Sequence, residues 1–567
     1  VGVTIENRFA MTSEDYADIV IDYDYNPRFL EEYQDAILHI MNDTYAILHL
    51  PLTSDVNTLI KEFGYTSIPK VFGLTSEISI DASRVENVRN LPNFNLTGKG
   101  VLIGIIDTGI DYLHPAFRNA DGTTKIASIW DQSIDSETAY PSNIFFGTEY
   151  LYDQINQALI SENPLEIVPS TDINGHGTMM AGVAVGMDNP QAGFQGVAPD
   201  SELVVVKLKQ AKKFLRELFL IPEDVDAYQE NDIMWGLQYC DLVARRMNRP
   251  IVICLGLGTS QTSHSGVTNL SNMMSVIASF SGVAAVTSVG NEGSLRRHFY
   301  NTIEPEVGST LAELNIGEAD KNFSMEIWGN FPNIYTLEIT SPGGEFVSSG
   351  TPGFEESRVI TFIFEATVIY FDVQITNTLS GDQLFLLRFR NATPGIWRFT
   401  ISTQGVLSPG AHIWLPMGNF ISENTYFLNP DIYTTVLSPG TSYVPISMTA
   451  YNPLNEGLYV NASRGYTKTG AVKPELAAPG VNYVAPALNG EYISYTGTGV
   501  AAAHTAGVVA LIFEWAIVRK NDVRIDTIVV KNYLIRGAKR DQNIVYPNRD
   551  WGYGILDVFN VFNVFRT

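Results

Sequence analysis

Val101-Leu102-Ile103-Gly104-Ile105-Ile106-Asp107-Thr108-Gly109-Ile110-Asp111 is the stretch that decides the fold. Its near-continuous apolar run, Val101–Ile106, is what a strand buried on both faces requires, and it breaks into an Asp and a glycine turn. Similar runs recur at Leu203–Val206, Ile251–Leu255 and Val283–Val289. Helical stretches lie between them at Gly175–Gly186, Asn231–Met247 and Asn269–Phe280. The rhythm resumes near Val444 and continues into a helix over about Ala501–Val518. Apolar strands alternating with helices predict an α/β fold, a parallel sheet flanked by helices on both sides.

Two regions depart from that rhythm. Residues 1–80 read as a small α+β unit. Ile19–Ile21 and Tyr45–Leu50 are predicted strands, and Phe29–Ile40 has helical spacing. Asp55–Phe63 reads as a second helix with Ser54 as its N-cap, and Ile68–Phe72 is expected to close the sheet as a ferredoxin-type plait. A linker is placed at 81–97, within a stretch marked by Pro92 and Gly98. The α/β domain is then assigned to 98–300 and 440–567, with 301–439 inserted. The insertion holds short β-rich segments, among them Asn322–Trp328, Val368–Thr376 and Gly395–Ile401, separated by turns such as Ser341-Pro342-Gly343-Gly344. A β-sandwich or jelly roll is expected, packing against and rigidifying the core, with a lectin-like role as the alternative.

A chain of 567 residues exceeds one core and implies several domains. Its net charge of -25 argues against a nucleic-acid partner, because phosphate binding needs a basic surface. No transmembrane segment is expected: the apolar candidate Val508–Val518 is short and carries Glu514. No signal peptide is read, and Val1 is taken as a processed or truncated end. Cys240 and Cys254 match no metal spacing and read as buried thiols. No metal site and no required cofactor is predicted. Calcium remains an option that no contiguous calcium-loop pattern indicates.

Chemistry concentrates at three strand or helix ends. Asp107 stands at the C-terminal end of a buried strand, the edge where parallel sheets gather their sites. A carboxylate there can hold an imidazole in one tautomer and stabilise its cation. Asn174-Gly175-His176-Gly177-Thr178 opens a helix with an accessible imidazole, a candidate general base. Val289-Gly290-Asn291-Glu292-Gly293 follows another apolar strand, and the Asn291 amide can donate to a developing oxyanion, worth about 3 kcal/mol in the transition state. Each residue taken singly has a structural explanation as a turn or packing residue.

Taken together, Asp107, His176 and Asn291 precede the run Gly497-Thr498-Gly499-Val500-Ala501-Ala502-Ala503-His504-Thr505-Ala506-Gly507. This order and these motifs resemble the subtilisin-like serine proteases, which write that run as G-T-S-x-A-x-x-H-x-A-G. The resemblance implies a subtilisin-like fold with an N-terminal prodomain, and it places Gly499 at the nucleophile position. It implies that Gly256-Leu257-Gly258 is the substrate-binding edge, where the family usually has Ser-Leu-Gly, and that His504 is a packing residue. Ser128-Ile129-Trp130-Asp131-Gln132 and Phe146-Gly147-Thr148-Glu149-Tyr150, with the β insertion, are similar to the Csp subtilases of clostridial spores. Active members of that group are thought to activate a cortex-lytic zymogen by proteolysis, and others, of CspA or CspC type, are pseudoproteases. The resemblance implies a place in the bacterial spore, in the cortex or coat region. It also implies other Csp proteins as partners and small-molecule germinants as candidate ligands.

Glycine has no side chain from which to form an acyl-enzyme. In a subtilisin, loss of the serine alone costs about 10⁶ in turnover. The favoured expectation is therefore a pseudoprotease that keeps residues 1–80 joined and docked, since self-cleavage needs the same serine. The alternative is a germination protease represented by an inactivated variant. The intact Asp107 and His176 suit the alternative, whereas glycine in place of the usual experimental alanine suits the first.

Overall fold

The computed structural model describes residues 7–52, 55–78, 95–304, 306–350, 355–376, 381–403 and 409–564. Most of the expected linker 81–97, namely residues 81–94, lies outside the described residues. The predicted apolar runs form the middle of a nine-stranded sheet. Its parallel centre runs in the spatial order Ile446–Asn452, Val283–Ser288, Ile251–Leu255, Leu102–Asp107, Glu202–Lys207 and Ile126–Asp131. Alternation along one strand serves both faces. Ile103 and Ile105 join the core of the helices His176–Val185 and Thr498–Phe513. Leu102 and Ile106 join that of Glu230–Met247 and Asn269–Ala278.

At one edge, Ile126–Asp131 pairs antiparallel with Thr148–Leu151. The Trp130 indole N–H donates to Phe146 O at 3.1 Å. A Cβ on Gly147, whose φ is +70°, would lie 2.5 Å from the Trp130 indole nitrogen. The Phe-Gly-Thr-Glu-Tyr motif therefore serves packing, and its glycine is required by both space and backbone.

Thr498–Val518 is longer as a helix than the sequence suggested. By length and composition it suffices to cross a membrane, but it is packed inside the core. Its Glu514 carboxylate accepts the N–H groups of Thr97 and Gly98, both at 2.8 Å.

The N-terminal unit differs from expectation in three places. The stretch expected to be a helix over 29–40 is a 3-10 turn, Pro27–Tyr33, followed by a strand, Ile37–Ile40. That strand pairs with Tyr45–Pro51, which also pairs with Tyr16–Asp22. Asn42 drives the reversal by accepting the N–H groups of Thr44 and Tyr45, so cross-strand pairing overrides the helical spacing. The second helix shrinks to Leu59–Phe63 after a 3-10 turn capped by Asp55; Ser54 lies outside the described residues. The segment expected to close the sheet instead leaves it. Val71–Leu74 pairs with Tyr228–Gln229 on one side and Leu257–Gly258 on the other, both strands of the α/β domain.

The insertion is a two-sheet sandwich of six and five strands between His298 and Phe427. Alternate residues such as Leu337, Ile339, Phe385, Leu387, Trp397 and Phe399 fill its interior.

Candidate active site

Asp107 ends its strand at the sheet's carboxyl edge, and His176 is the first residue of its helix. Gly175, at φ +93°, turns the chain into that helix. His176 Nδ1 lies 2.8 Å from Asp107 Oδ1, both side chains buried. That bond sets the tautomer and leaves Nε2 free to serve as a base. Nε2 has no hydrogen-bond partner among the described residues.

Sequence reading missed the residue that holds this pair in place. The Asp172 carboxylate accepts Thr108 Oγ1 (2.9 Å), Gly175 N–H (2.9 Å), and both the N–H (2.9 Å) and hydroxyl (2.7 Å) of Thr178. Thr108 Oγ1 in turn accepts Gly177 N–H at 2.8 Å. The Asp107 turn and the His176 helix are thereby laced together, and the only local hint was an Asp three residues before the N-cap glycine of the helix.

Asn291 and Gly499 converge on one atom. Asn291 Nδ2 donates to the carbonyl oxygen of Thr75 at 2.8 Å, and Gly499 N–H donates to the same oxygen at 3.2 Å. Thr498 fixes the amide's orientation by donating its N–H and its hydroxyl to Asn291 Oδ1, each at 3.1 Å. Two donors aimed at one carbonyl oxygen are the arrangement an oxyanion hole uses, and here the carbonyl belongs to a peptide of the chain itself.

The predicted substrate edge completes the grip. Gly256 O accepts Thr75 N–H at 3.1 Å and the Thr75 hydroxyl at 2.6 Å. Leu257 and Gly258 pair with Leu74 and Gly73. Beyond Thr75, Ser76–Ile78 pairs antiparallel with Tyr495–Gly497. Val71–Ile78 thus crosses the cleft unbroken, with the Thr75–Ser76 bond over Gly499. A Cβ on Gly499 would fall against Ser76 Oγ and 3.1 Å from Thr75 Oγ1. At Gly256, a Cβ would sit 2.9 Å from His176 Cε1 and 2.8 Å from Met180 Cε, so serine there would press on the imidazole.

His504 lies apart from this site, packed edge-on against Tyr483, with burial lowering its pKa to about 4. Burial pushes both the Cys240 and Cys254 thiols up, away from reactivity. Among the described residues, no cluster of three or more His, Cys, Asp or Glu is placed to hold a metal ion.

A model of the subtilase family matches residues 98–320 and 418–554, more than half of the chain. Among solved structures the chain is similar to the Clostridium perfringens CspB protease, with 29% identity and a TM-score of 0.75, covering 86% of this chain and 98% of that one. Among curated proteins it is similar to the minor extracellular protease Vpr of Bacillus subtilis, 22% identical over 498 residues, covering 82% of this chain and 51% of Vpr. It is also similar to a Streptococcus pyogenes C5a peptidase, 22% identical over 527 residues, covering 85% of this chain and 42% of that protein. The chain therefore spans about half the length of these curated relatives.

Proposed function

From the premise that this chain belongs to the subtilase family, we propose that it is a pseudoprotease: a subtilisin-like scaffold that binds rather than cleaves. The observation that carries this reading is at Gly499. Its N–H holds the Thr75 carbonyl where an acyl-enzyme would form, and no hydroxyl follows from its Cα. Asp107 and His176 can orient and accept a proton, but the bond-forming atom is missing. The segment Val71–Ile78 acts as a resident substrate mimic, and residues 1–80 stay joined to the core.

Similarity to the CspB protease supports a role in spore germination, with signal sensing or relay through other Csp proteins and small-molecule germinants. Purified protein mixed with a cortex-lytic zymogen and with peptides spanning Val71–Ile78 should release no product. Turnover abolished by His176→Ala would overturn the proposal.

A second reading draws on the 2.8 Å Asp107–His176 bond and the filled oxyanion hole. Geometry this close to catalysis suits a germination protease whose nucleophile has been replaced. The codon for residue 499 in the native gene separates the two: glycine supports the pseudoprotease, and serine the inactivated enzyme.

A further inference from the structure

A cavity of about 510 Å³ opens where the three parts of the fold meet. The N-terminal unit contributes Asp22, Asp24 and Glu32, the α/β domain contributes Glu230, and the sandwich contributes Trp328. Its volume lies within the range of small-molecule sites. Its lining is mixed: Tyr33 and the exposed Phe29 form an aromatic edge, the buried Tyr65 and Trp328 rings form part of its floor, and Ser67, Thr268 and Asn272 are among its polar residues. Trp328 is held in place by its indole N–H, which donates to Glu326 at 2.9 Å, and by edge contact with the Tyr65 ring.

The charges of the lining do not balance. Among the described residues that line the cavity, Lys70 is the only cation. Its ammonium already donates to the carbonyls of Tyr65 and Ile68 and lies 4.2 Å from the Tyr65 ring centroid. Glu230 is likewise engaged, accepting Lys70 N–H and Leu270 N–H, both at 3.1 Å. Asp22, Asp24 and Glu32 enter no ion pair among the described residues. Although Asp22 is exposed, partial desolvation raises its carboxyl, and the neighbouring Asp24 charge adds to the rise against a backbone hydrogen bond from Asp24. A cation placed there would relieve both effects.

We propose that this cavity binds a small organic cation, a primary amine or guanidine carried on an apolar or aromatic body. Unpaired carboxylates supply the charge complement, and the Phe29 and Tyr33 rings supply cation–π attraction and cover for the body. An anion meets a net excess of negative charge there, because the Lys70 ammonium is already engaged. The strand Val71–Leu74 begins one residue after Lys70, so an occupant touching all three parts fastens the N-terminal unit and its cleft segment to the core. This inference is independent of whether the chain cleaves peptides.

Isothermal titration of the full chain with 4-phenylbutylamine, and with 4-phenylbutyrate as its anionic counterpart, tests it. The amine should bind with a Kd on the order of 1 mM or tighter, and the carboxylate about tenfold or more weakly. The double variant Asp22→Asn/Asp24→Asn should weaken amine binding about tenfold while leaving the unliganded unfolding midpoint unchanged. Ser67→Trp, which fills the cavity from a half-exposed lining position, should abolish binding. Equal binding of the two probes, amine binding that survives both variants, or no amine binding at about 10 mM overturns the proposal.

Discussion

The N–H of Gly499 donates to the carbonyl oxygen of Thr75 at 3.2 Å, so the residue at the proposed nucleophile position holds the peptide that a serine there would attack. The unaltered chain should therefore give one intact mass after prolonged incubation. Gly499→Ser should split it between Thr75 and Ser76 and at no other bond, once Ser76 Oγ rotates away from the new side chain. Adding His176→Ala should suppress the cut, since the triad acts as a unit worth about 10⁶ in turnover. Cleavage elsewhere between residues 70 and 98 would show that the segment shifts before reaction.

Asn291→Ala removes the stronger of the two donors to Thr75 O and frees Thr498 from its amide. Loss of such a bond costs about 1–2 kcal/mol. Amide hydrogen exchange across Val71–Ile78 should quicken about tenfold, with the central strands unaffected. Unchanged protection would mean that strand pairing alone holds the segment.

Asp18, on the N-terminal unit, binds Lys212 Nζ and His49 Nδ1 at 2.7 Å each and Gln229 Nε2 at 2.8 Å. Burial raises this carboxyl, but Lys212 and the His49 bond prevail and hold it well below the ordinary range. Asp18→Ala strands a buried ammonium and should cost about 3–5 kcal/mol in urea unfolding. Pairing it with Lys212→Met should recover most of that loss. Equal loss in the single and double variants would assign the effect to packing.

Buried neutral histidines make the fold acid-sensitive. Burial lowers His39, His264 and His298 to about 3, and His504 to about 4, from 6.5. His264 stacks on Trp414 at 4.1 Å, and His298 Nε2 meets His412 Nδ1 at 2.9 Å along the seam between sandwich and core. The unfolded chain takes up protons near pH 6.5 and the folded chain does not. Their stabilisation is therefore complete above that pH and is lost progressively as pH falls from there towards the folded values of about 3 to 4. Each histidine steepens the decline by up to about 1.4 kcal/mol per pH unit. Unfolding midpoints measured from pH 7.5 to 4.5 should fall progressively, and His504→Gln should flatten the slope. A level profile would contradict this.

The legible parts of the sequence were those with local signatures. Val101–Ile106 and its counterparts announced buried strands because continuous apolar runs have few other uses. Asp107, His176 and Asn291 were each ambiguous alone and became legible through the order of their motifs, which resembles that of the subtilisin-like proteases. The stretch 29–40 misled because Phe29, Tyr33, Ile37 and Ile40 keep helical spacing, whereas the Asn42 turn pairs Ile37–Ile40 with Tyr45–Pro51. Asp172 gave only a faint local signal, because its bond to Thr108 joins segments 64 residues apart.

By itself, the sequence determined which atoms exist: an imidazole, its carboxylate, an amide donor, and no hydroxyl at Gly499. It also determined, through apolar periodicity, the sheet that carries them. Only the tertiary structure decided that Val71–Leu74 leaves its own unit to lie between Tyr228–Gln229 and Leu257–Gly258, with Thr75 O between Asn291 and Gly499 and Ser76–Ile78 paired to Tyr495–Gly497. The physical reason is that a short apolar strand carries no local preference for its partner. Pairing is settled by which edges the folded core leaves open, and those edges come from residues far apart in the chain.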